Sequence, residues 1–313
     1  MHPKAEDYEF NLDRALNTVV GVRTTIPEDA FTAQILGTER AGNGVLIDDN
    51  GLILTIGYLI TEAESIWISL ADGNTVQGHM LAYDQRTGFG LVQALAKVDL
   101  PGLTFGDSDQ AEVGESVVVA GAGGRHHCVE AQIVAKQEFV GYWEYVLDEA
   151  IYTAPSHPNW GGAALIGSNG HLLGIGSLQL ESTLSNNQSQ DVNMIVPIDL
   201  LKPILEDLKT KGRSIYSPRP WLGIYATEIG NRIVLAGLAQ DAPAEQAELE
   251  VGDIVLSVAG ESVRSLSEFF KTIWSVGDAG VVIPLRILRD NNSLDIVVKS
   301  INRNDILKRP VIH

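Results

Sequence analysis

Short apolar runs separated by polar turns dominate the chain from about residue 37. Val45-Leu46-Ile47 gives way to Asp48-Asp49-Asn50-Gly51, and Leu52-Ile53-Leu54-Thr55 follows. Ser65 to Leu70 alternates and stops at Ala71-Asp72-Gly73-Asn74. A second set opens near Ser116-Val117-Val118-Val119-Ala120 and closes near Val192 to Val196. Many short strands of this kind predict a β-barrel or a sandwich. Within the second set, an apolar run, Ser168-Asn169-Gly170 and another apolar run predict a hairpin. The strongest helical stripe is Leu200, Leu201, Ile204, Leu205 and Leu208, with Asp199 as its cap and Pro203 in its first turn.

Before residue 37 the pattern is an amphipathic leader in which Tyr8, Phe10, Leu12, Leu16, Val19 and Val20 punctuate polar residues. Residues 209–220 form a basic linker bearing Ser and Pro. After it comes a second β-rich region with one helix, capped by Ser265 and running through Leu266, Phe269, Phe270 and Ile273. The expected division is an N-terminal segment 1–36, a double barrel 37–208, a linker 209–220, a compact domain 221–302 and a tail 303–313.

Charge and cysteine content narrow the partners. A formal net charge of -18 excludes a phosphate-binding footprint, so no nucleic acid is expected. It also opposes docking on an anionic membrane surface. No run approaches the ~20 apolar residues of a membrane span. The single cysteine, Cys128, cannot form an intrachain disulfide. The polar start Met1-His2-Pro3-Lys4 lacks the apolar core of a signal peptide. A cytoplasmic protein is expected from the sequence as written, or a periplasmic one if a leader has been removed.

Two clusters invite chemistry. His126-His127-Cys128 suggests a metal. In an extended strand, however, neighbouring side chains point to opposite faces, which makes a poor chelate. Cys128 as a nucleophile needs a base and a thiolate-favouring site. No metal and no cofactor are expected.

The stretch His157-Pro158-Asn159-Trp160-Gly161-Gly162-Ala163-Ala164-Leu165 resembles the nucleophile loop Asn-Pro-Gly-Asn-Ser-Gly-Gly-Pro-Leu of the HtrA/Deg family of trypsin-like serine proteases. Gly42-Asn43-Gly44-Val45-Leu46-Ile47 resembles that family's Gly-Ser-Gly-Val-Ile-Ile. Leu52 to Ile60 resembles Tyr-Ile-Leu-Thr-Asn-Asn-His-Val-Val, and Asp84 to Val92 resembles Asp-Pro-Arg-Thr-Asp-Leu-Ala-Val-Leu. Leu103 to Asp109 and Val113-Gly114-Glu115 follow the same pattern. The resemblance implies a mainly β fold, a trypsin-like double six-stranded β-barrel followed by a PDZ domain.

It also exposes what is missing. A serine triad needs a hydroxyl nucleophile, an imidazole to take its proton and a carboxylate to orient the imidazole. The matching positions hold Gly161, Tyr58 and Gly88. Glycine offers no nucleophile, and a phenol with a pKa of about 10 is a poor base at neutral pH. Asn159 replaces an oxyanion-loop glycine, Trp160 brings in an indole, and Ala163-Ala164 replace Gly-Pro. Tyr58 and Trp160 read either as plugs for the vacated space or as walls of a small apolar cleft. His157 reads as a structural loop histidine.

In the last domain, Arg219-Pro220-Trp221-Leu222-Gly223-Ile224 resembles the carboxylate-binding loop of PDZ domains. Asp241 to Val255 follows the PDZ Ser-Pro-Ala and Pro-Gly-Asp landmarks, with Glu248 at a glycine position. Such a domain takes an extended C-terminus as an added strand. Trp221, Leu222, Gly223 and Ile224 are the expected carboxylate and pocket residues, with Phe269 and Phe270 walling the groove and Arg219 either near the carboxylate or facing solvent. The alternative is an assembly module whose groove is unused.

The expected function is a non-proteolytic HtrA-like pseudoprotease: a protein- or peptide-binding, chaperone-like or complex-assembly subunit. Its partners are protein or peptide C-termini. The resemblance implies a homo-oligomer, a trimer, through Tyr8 and Phe10, or membership of a larger complex; the alternative is that these rings cover a barrel edge. The competing class is a hydrolase with relocated catalytic residues, or a subunit that completes a partner enzyme's site.

Overall fold

A computed structural model describes residues 3–183 and 189–308. The end of the expected tail, residues 309–313, lies outside the described residues. The chain divides into two compact units. One holds residues 1–137, 149–215 and 307–313, and the other holds residues 138–148 and 216–306.

The first unit contains two closed antiparallel barrels. The first is built from β1 (Val19–Thr25), β2 (Glu39–Leu46), β3 (Leu52–Ile56), β4 (Ser65–Ser69), β5 (Thr75–Tyr83) and β6 (Phe89–Ala94), in the order β1-β2-β3-β6-β5-β4. The second uses β7 (Ser116–Ala120), β8 (Cys128–Gly141), β9 (Tyr145–Ala154), β10 (Ala164–Ile166), β11 (Leu172–Thr183) and β12 (Ser189–Pro197), in the order β10-β11-β12-β9-β8-β7. Closure pairs every strand edge. Fully buried Val117, Val119, Ile151, Leu165 and Ile195 fill the second barrel.

The barrel begins at Val19, not near residue 37. Val19, Val20 and Val22 are buried while Arg23 and Thr25 are exposed, and β1 pairs with both β2 and β4. The leader carries two short α-helices, Leu12–Leu16, capped by the Asn11 side chain, and Ala33–Leu36. Phe10 and Tyr8 meet edge to face at 5.3 Å, and both are half-buried. Phe10 lies on Gly170 of the β10–β11 turn, where an added Cβ would come within 2.6 Å of the ring.

The helix expected from Asp199 onward starts later. A 3-10 turn covers Ile198–Leu200, and regular helix runs only over Leu205–Lys211. Pro203 has no N–H to give to a helical ladder, so the helix begins beyond it. Asp199 caps nothing there; its carboxylate instead accepts the Ser108 and Asp109 amides and the Ser108 hydroxyl. Of the apolar stripe, Leu201, Ile204 and Leu208 are buried, Leu205 is half-buried and Leu200 is exposed.

The second unit is a six-stranded sheet of β13 (Ile224–Ile229), β14 (Arg232–Leu238), β15 (Ile254–Val258), β16 (Glu261–Ser262), β17 (Val282–Arg289) and β18 (Asn292–Lys299). β13 stands at one edge of the order β13-β14-β15-β17-β18. The helix Leu266–Ser275 begins where the Ser265 hydroxyl accepts the Glu268 N–H. Glu248 adopts the left-handed backbone of the glycine it replaces, with φ 61°. Residues 138–148, the outer ends of β8 and β9, belong to this unit although they lie inside the expected barrel range. Val146 anchors them, buried among Leu222, Ile224, Phe269 and Phe270.

Candidate functional site

The first candidate site lies where β2, the turn after β3 and the 157–163 loop meet. Tyr58 sits in the 3-10 turn Gly57–Leu59 that follows β3. Its hydroxyl donates to the Ser177 carbonyl at 2.9 Å. Burial pushes the phenol well above its ordinary pKa, so it stays neutral and cannot serve as a base near pH 7. A Cβ placed on Gly161 would stand 2.7 Å from this hydroxyl. The Gly88 carbonyl accepts the Gly57 N–H at 2.7 Å. Tyr58, Gly88 and Gly161 therefore converge, as the sequence reading expects, and no proton-relay chain links them.

Asn43 holds the loop. Its Nδ2 donates to the Asn159 and Gly161 carbonyls at 2.9 and 3.1 Å, and its Oδ1 accepts the Ala122 N–H. The Asn43 N–H also donates to the Gly161 carbonyl. The Asn159 N–H donates to His157 Nδ1 at 3.0 Å. That amide therefore already has an acceptor within the loop.

His157 is a satisfied structural residue. Its Nδ1 accepts from Asn159, so Nε2 carries the proton and donates to the His127 carbonyl at 3.0 Å. Burial lowers its pKa. The extended strand expected at His126-His127-Cys128 is instead a 3-10 turn, Gly124–His127, with Cys128 opening β8. Gly123, in left-handed backbone, starts that turn. Cys128 is buried, donates to the Arg125 carbonyl, and has its thiol pushed up to about 11 by burial. A neutral thiol is no nucleophile. Among the described residues the one group of three side chains at metal-ligand spacing is Asp107, Asp109 and Asp199, and it includes no member of this triplet.

The second candidate site is the 221–224 loop. Leu222, Gly223 and Ile224 do present their N–H groups to one point, as expected, and that point holds the carboxylate of Glu144. Gly223 makes the turn with φ 80°. Trp221 is buried and bridges to Ile301. Phe269 and Phe270 do not wall an open groove; both are fully buried in the core of the unit. Residues Ser267 and Lys271 of the same helix reach the 138–148 segment instead. Arg219 is half-buried. It stacks over the Trp274 ring at 4.0 Å.

Sequence reading missed Asn43 and Glu144. The motif comparison gave a hint for Asn43, which stands at a serine position of the Gly-Ser-Gly pattern. Glu144 gave none.

Comparison with known proteins supplies the context. The family described as trypsin-like peptidase domain matches residues 42–175, and the PDZ domain family matches residues 220–299. A probable periplasmic serine endoprotease DegP-like of Pseudomonas putida (strain W619) is 26% identical over 287 residues, covering 85% of this chain and 57% of that protein. The chain thus spans a little over half the length of that relative. Serine endoprotease DegS of Escherichia coli (strain K12) is 25% identical over 272 residues, covering 82% of this chain and 75% of DegS. The structure described as HtrA-type protease AlgW with decapeptide aligns with a TM-score of 0.56 at 20% identity, over 96% of this chain and 98% of that one. This likeness shows the shared fold. The DegP-like name specifies the periplasm and lends no support to the cytoplasmic expectation. No helix among the described residues is long and apolar enough to cross a membrane.

Proposed function

The chain belongs to the HtrA family, with a trypsin-like peptidase domain followed by a PDZ domain, and from that premise we propose that it binds proteins without cleaving them. The reading is a pseudoprotease acting as a peptide-binding, chaperone-like or assembly subunit, in the periplasm as the DegP-like name suggests.

The observation that carries it is the fit of Tyr58 against Gly161. The phenol fills the space that a side chain at 161 would need and is held there by its hydrogen bond to the Ser177 carbonyl. Nucleophile and base are both missing, so acyl transfer by the triad mechanism has no first step. The Asn159 amide, bonded to His157, removes a donor from the place where the tetrahedral oxygen would form. Peptide binding is supported by the PDZ match and by the peptide-bound state of the AlgW neighbour.

The test uses the purified full chain with a fluorophosphonate probe and a casein assay. No label and no cleavage are expected, for the wild type or for Gly161→Ser. Labelling of the wild-type chain in its barrel domain overturns the reading.

A further inference from the structure

We propose that Tyr142–Glu144 is a built-in ligand of the PDZ groove, and that a partner's C-terminus binds only by displacing it. This rests on the peptide-binding reading above.

The Glu144 carboxylate is buried, with its residue 4% exposed. It accepts the Leu222 N–H at 3.2 and 3.1 Å on its two oxygens, the Gly223 N–H at 2.7 Å and the Ile224 N–H at 2.9 Å. Two residues further along β13, the Ala226 N–H donates 2.9 Å to the carbonyl of Tyr142, two residues before Glu144. The two chains therefore run antiparallel, with the carboxylate at the loop and main-chain pairing behind it. That is the arrangement of a C-terminal peptide added to a sheet edge, with the Glu144 side chain standing in for the terminal carboxylate. β13 offers this edge because its other side is paired to β14.

The segment is held along its length. Val146 is buried in the core beside Phe269 and Phe270, and Val140 packs against that core. The Tyr142 and Tyr225 rings meet at 6.0 Å. Lys271 of the helix Leu266–Ser275 pairs with Glu138 at 2.6 Å and Asp148 at 2.7 Å, while the Ser267 hydroxyl donates to Glu138 at 2.8 Å. Glu144 itself takes left-handed backbone, with φ 60°. An L-residue there is strained, and the surrounding contacts must hold it.

Mutual exclusion follows from the donors. Three N–H groups converge on one point, and two carboxylates brought there would repel each other in a buried site. A tethered carboxylate competes at an effective concentration on the order of millimolar. An incoming peptide binds only the fraction of molecules in which the segment has left, so its apparent affinity falls by that fraction.

The experiment is fluorescence anisotropy on the full chain, with labelled decapeptides whose free C-termini are Val, Leu, Ile or Phe. Glu144→Ala is expected to bind at least one of them ten-fold or more tighter than the wild type, and C-terminal amidation is expected to abolish the gain. Lys271→Glu is the second variant. It sets like charges against Glu138 and Asp148 without touching the amides, and should tighten binding several-fold. Equal affinity in the wild type and both variants overturns the inference and leaves peptide binding standing. Absence of binding in all three defeats both, and a gain that survives amidation shows that the carboxylate seat is not what is shared.

Discussion

The hydroxyl of Tyr58 stands 2.7 Å from the point that a Cβ on Gly161 would occupy. Gly161 is not among the glycines with positive φ, so the constraint there is contact, not backbone conformation. The hydroxyl is anchored to the Ser177 carbonyl, so it gives way only by losing a buried hydrogen bond. Gly161→Ser should cost about 1–3 kcal/mol, the usual range for overpacking. In a Tyr58→Ala background, itself destabilised by the cavity left behind, Gly161→Ser should cost less than it does in the wild type, because the two side chains compete for one space and their effects will not add. Urea unfolding of the two single variants and the double variant measures this. An unchanged midpoint for Gly161→Ser means that Tyr58 has room to move.

The second prediction concerns His157. Its ring accepts from the Asn159 N–H and donates to His127, an arrangement that only the neutral ring can make. Burial lowers its pKa below the ordinary value of about 6.5. As pH falls through about 6.5, the unfolded chain takes up a proton that the folded ring refuses. Its contribution to stability is therefore complete above that pH and lost below it. His157→Gln should flatten this part of the stability profile between pH 7 and 5. Glu144 acts in the opposite direction over the same range, so the quantity to read is the difference between wild type and variant. A variant that retains the full wild-type slope contradicts the assignment.

How far these features were legible in the sequence depends on their range. The strand pairs Val45–Leu54 and Leu46–Ile53 join neighbours across one turn, and the turn residues announce them. Tyr58, Gly88 and Gly161 were legible because each stands in a motif whose chemistry demands a different side chain. β1 was hidden because its partner β4 is some forty residues away and its alternation follows a polar leader. Glu144 was illegible for a stronger reason. Its partners at 222–224 are 78 to 80 residues away, and a lone glutamate at a hairpin tip normally faces water. Only the folded chain shows that the carboxylate loop and the carboxylate belong together. Phe269 and Phe270 were recognised as one face of a helix, but periodicity does not distinguish a groove wall from a core.

The third prediction concerns Glu248, whose φ of 61° puts an L-residue in left-handed backbone. Its carbonyl accepts from Arg289, a main-chain contact that any residue can keep. Glu248→Gly removes the Cβ strain, worth roughly 1–2 kcal/mol, while glycine adds freedom to the unfolded chain. The net expectation is a gain of about 0.5–1 kcal/mol, read as a higher denaturant midpoint for the second unit's transition. A loss of stability would show that the glutamate side chain contributes contacts outweighing the strain.

The last prediction is the pH dependence of the docked Glu144 segment. Burial pushes the docked carboxyl up to about 7, against the pull of the Ile224, Leu222 and Gly223 amides and of Arg303. Once undocked in water, the same group has an ordinary pKa of about 4.3. Between those values the docked state holds a proton that the undocked state has released. Docking is therefore firmest at the lower end of this window and loosens as pH rises through about 7. The other ionisable groups around it are Arg303, Tyr142 and Tyr225, with Glu138, Asp148 and Lys271 at the shoulders. Burial raises the Tyr225 phenol, and the two carboxylates raise Lys271, so neither changes charge here. Hydrogen exchange at the Leu222, Gly223 and Ile224 amides, corrected for the intrinsic pH effect, should show protection about tenfold greater at pH 6 than at pH 8. Glu144→Gln carries no proton to release and should give the same protection at both. A wild-type chain equally protected at pH 6 and pH 8 would mean that the carboxyl docks without taking up a proton, and that this linkage is absent.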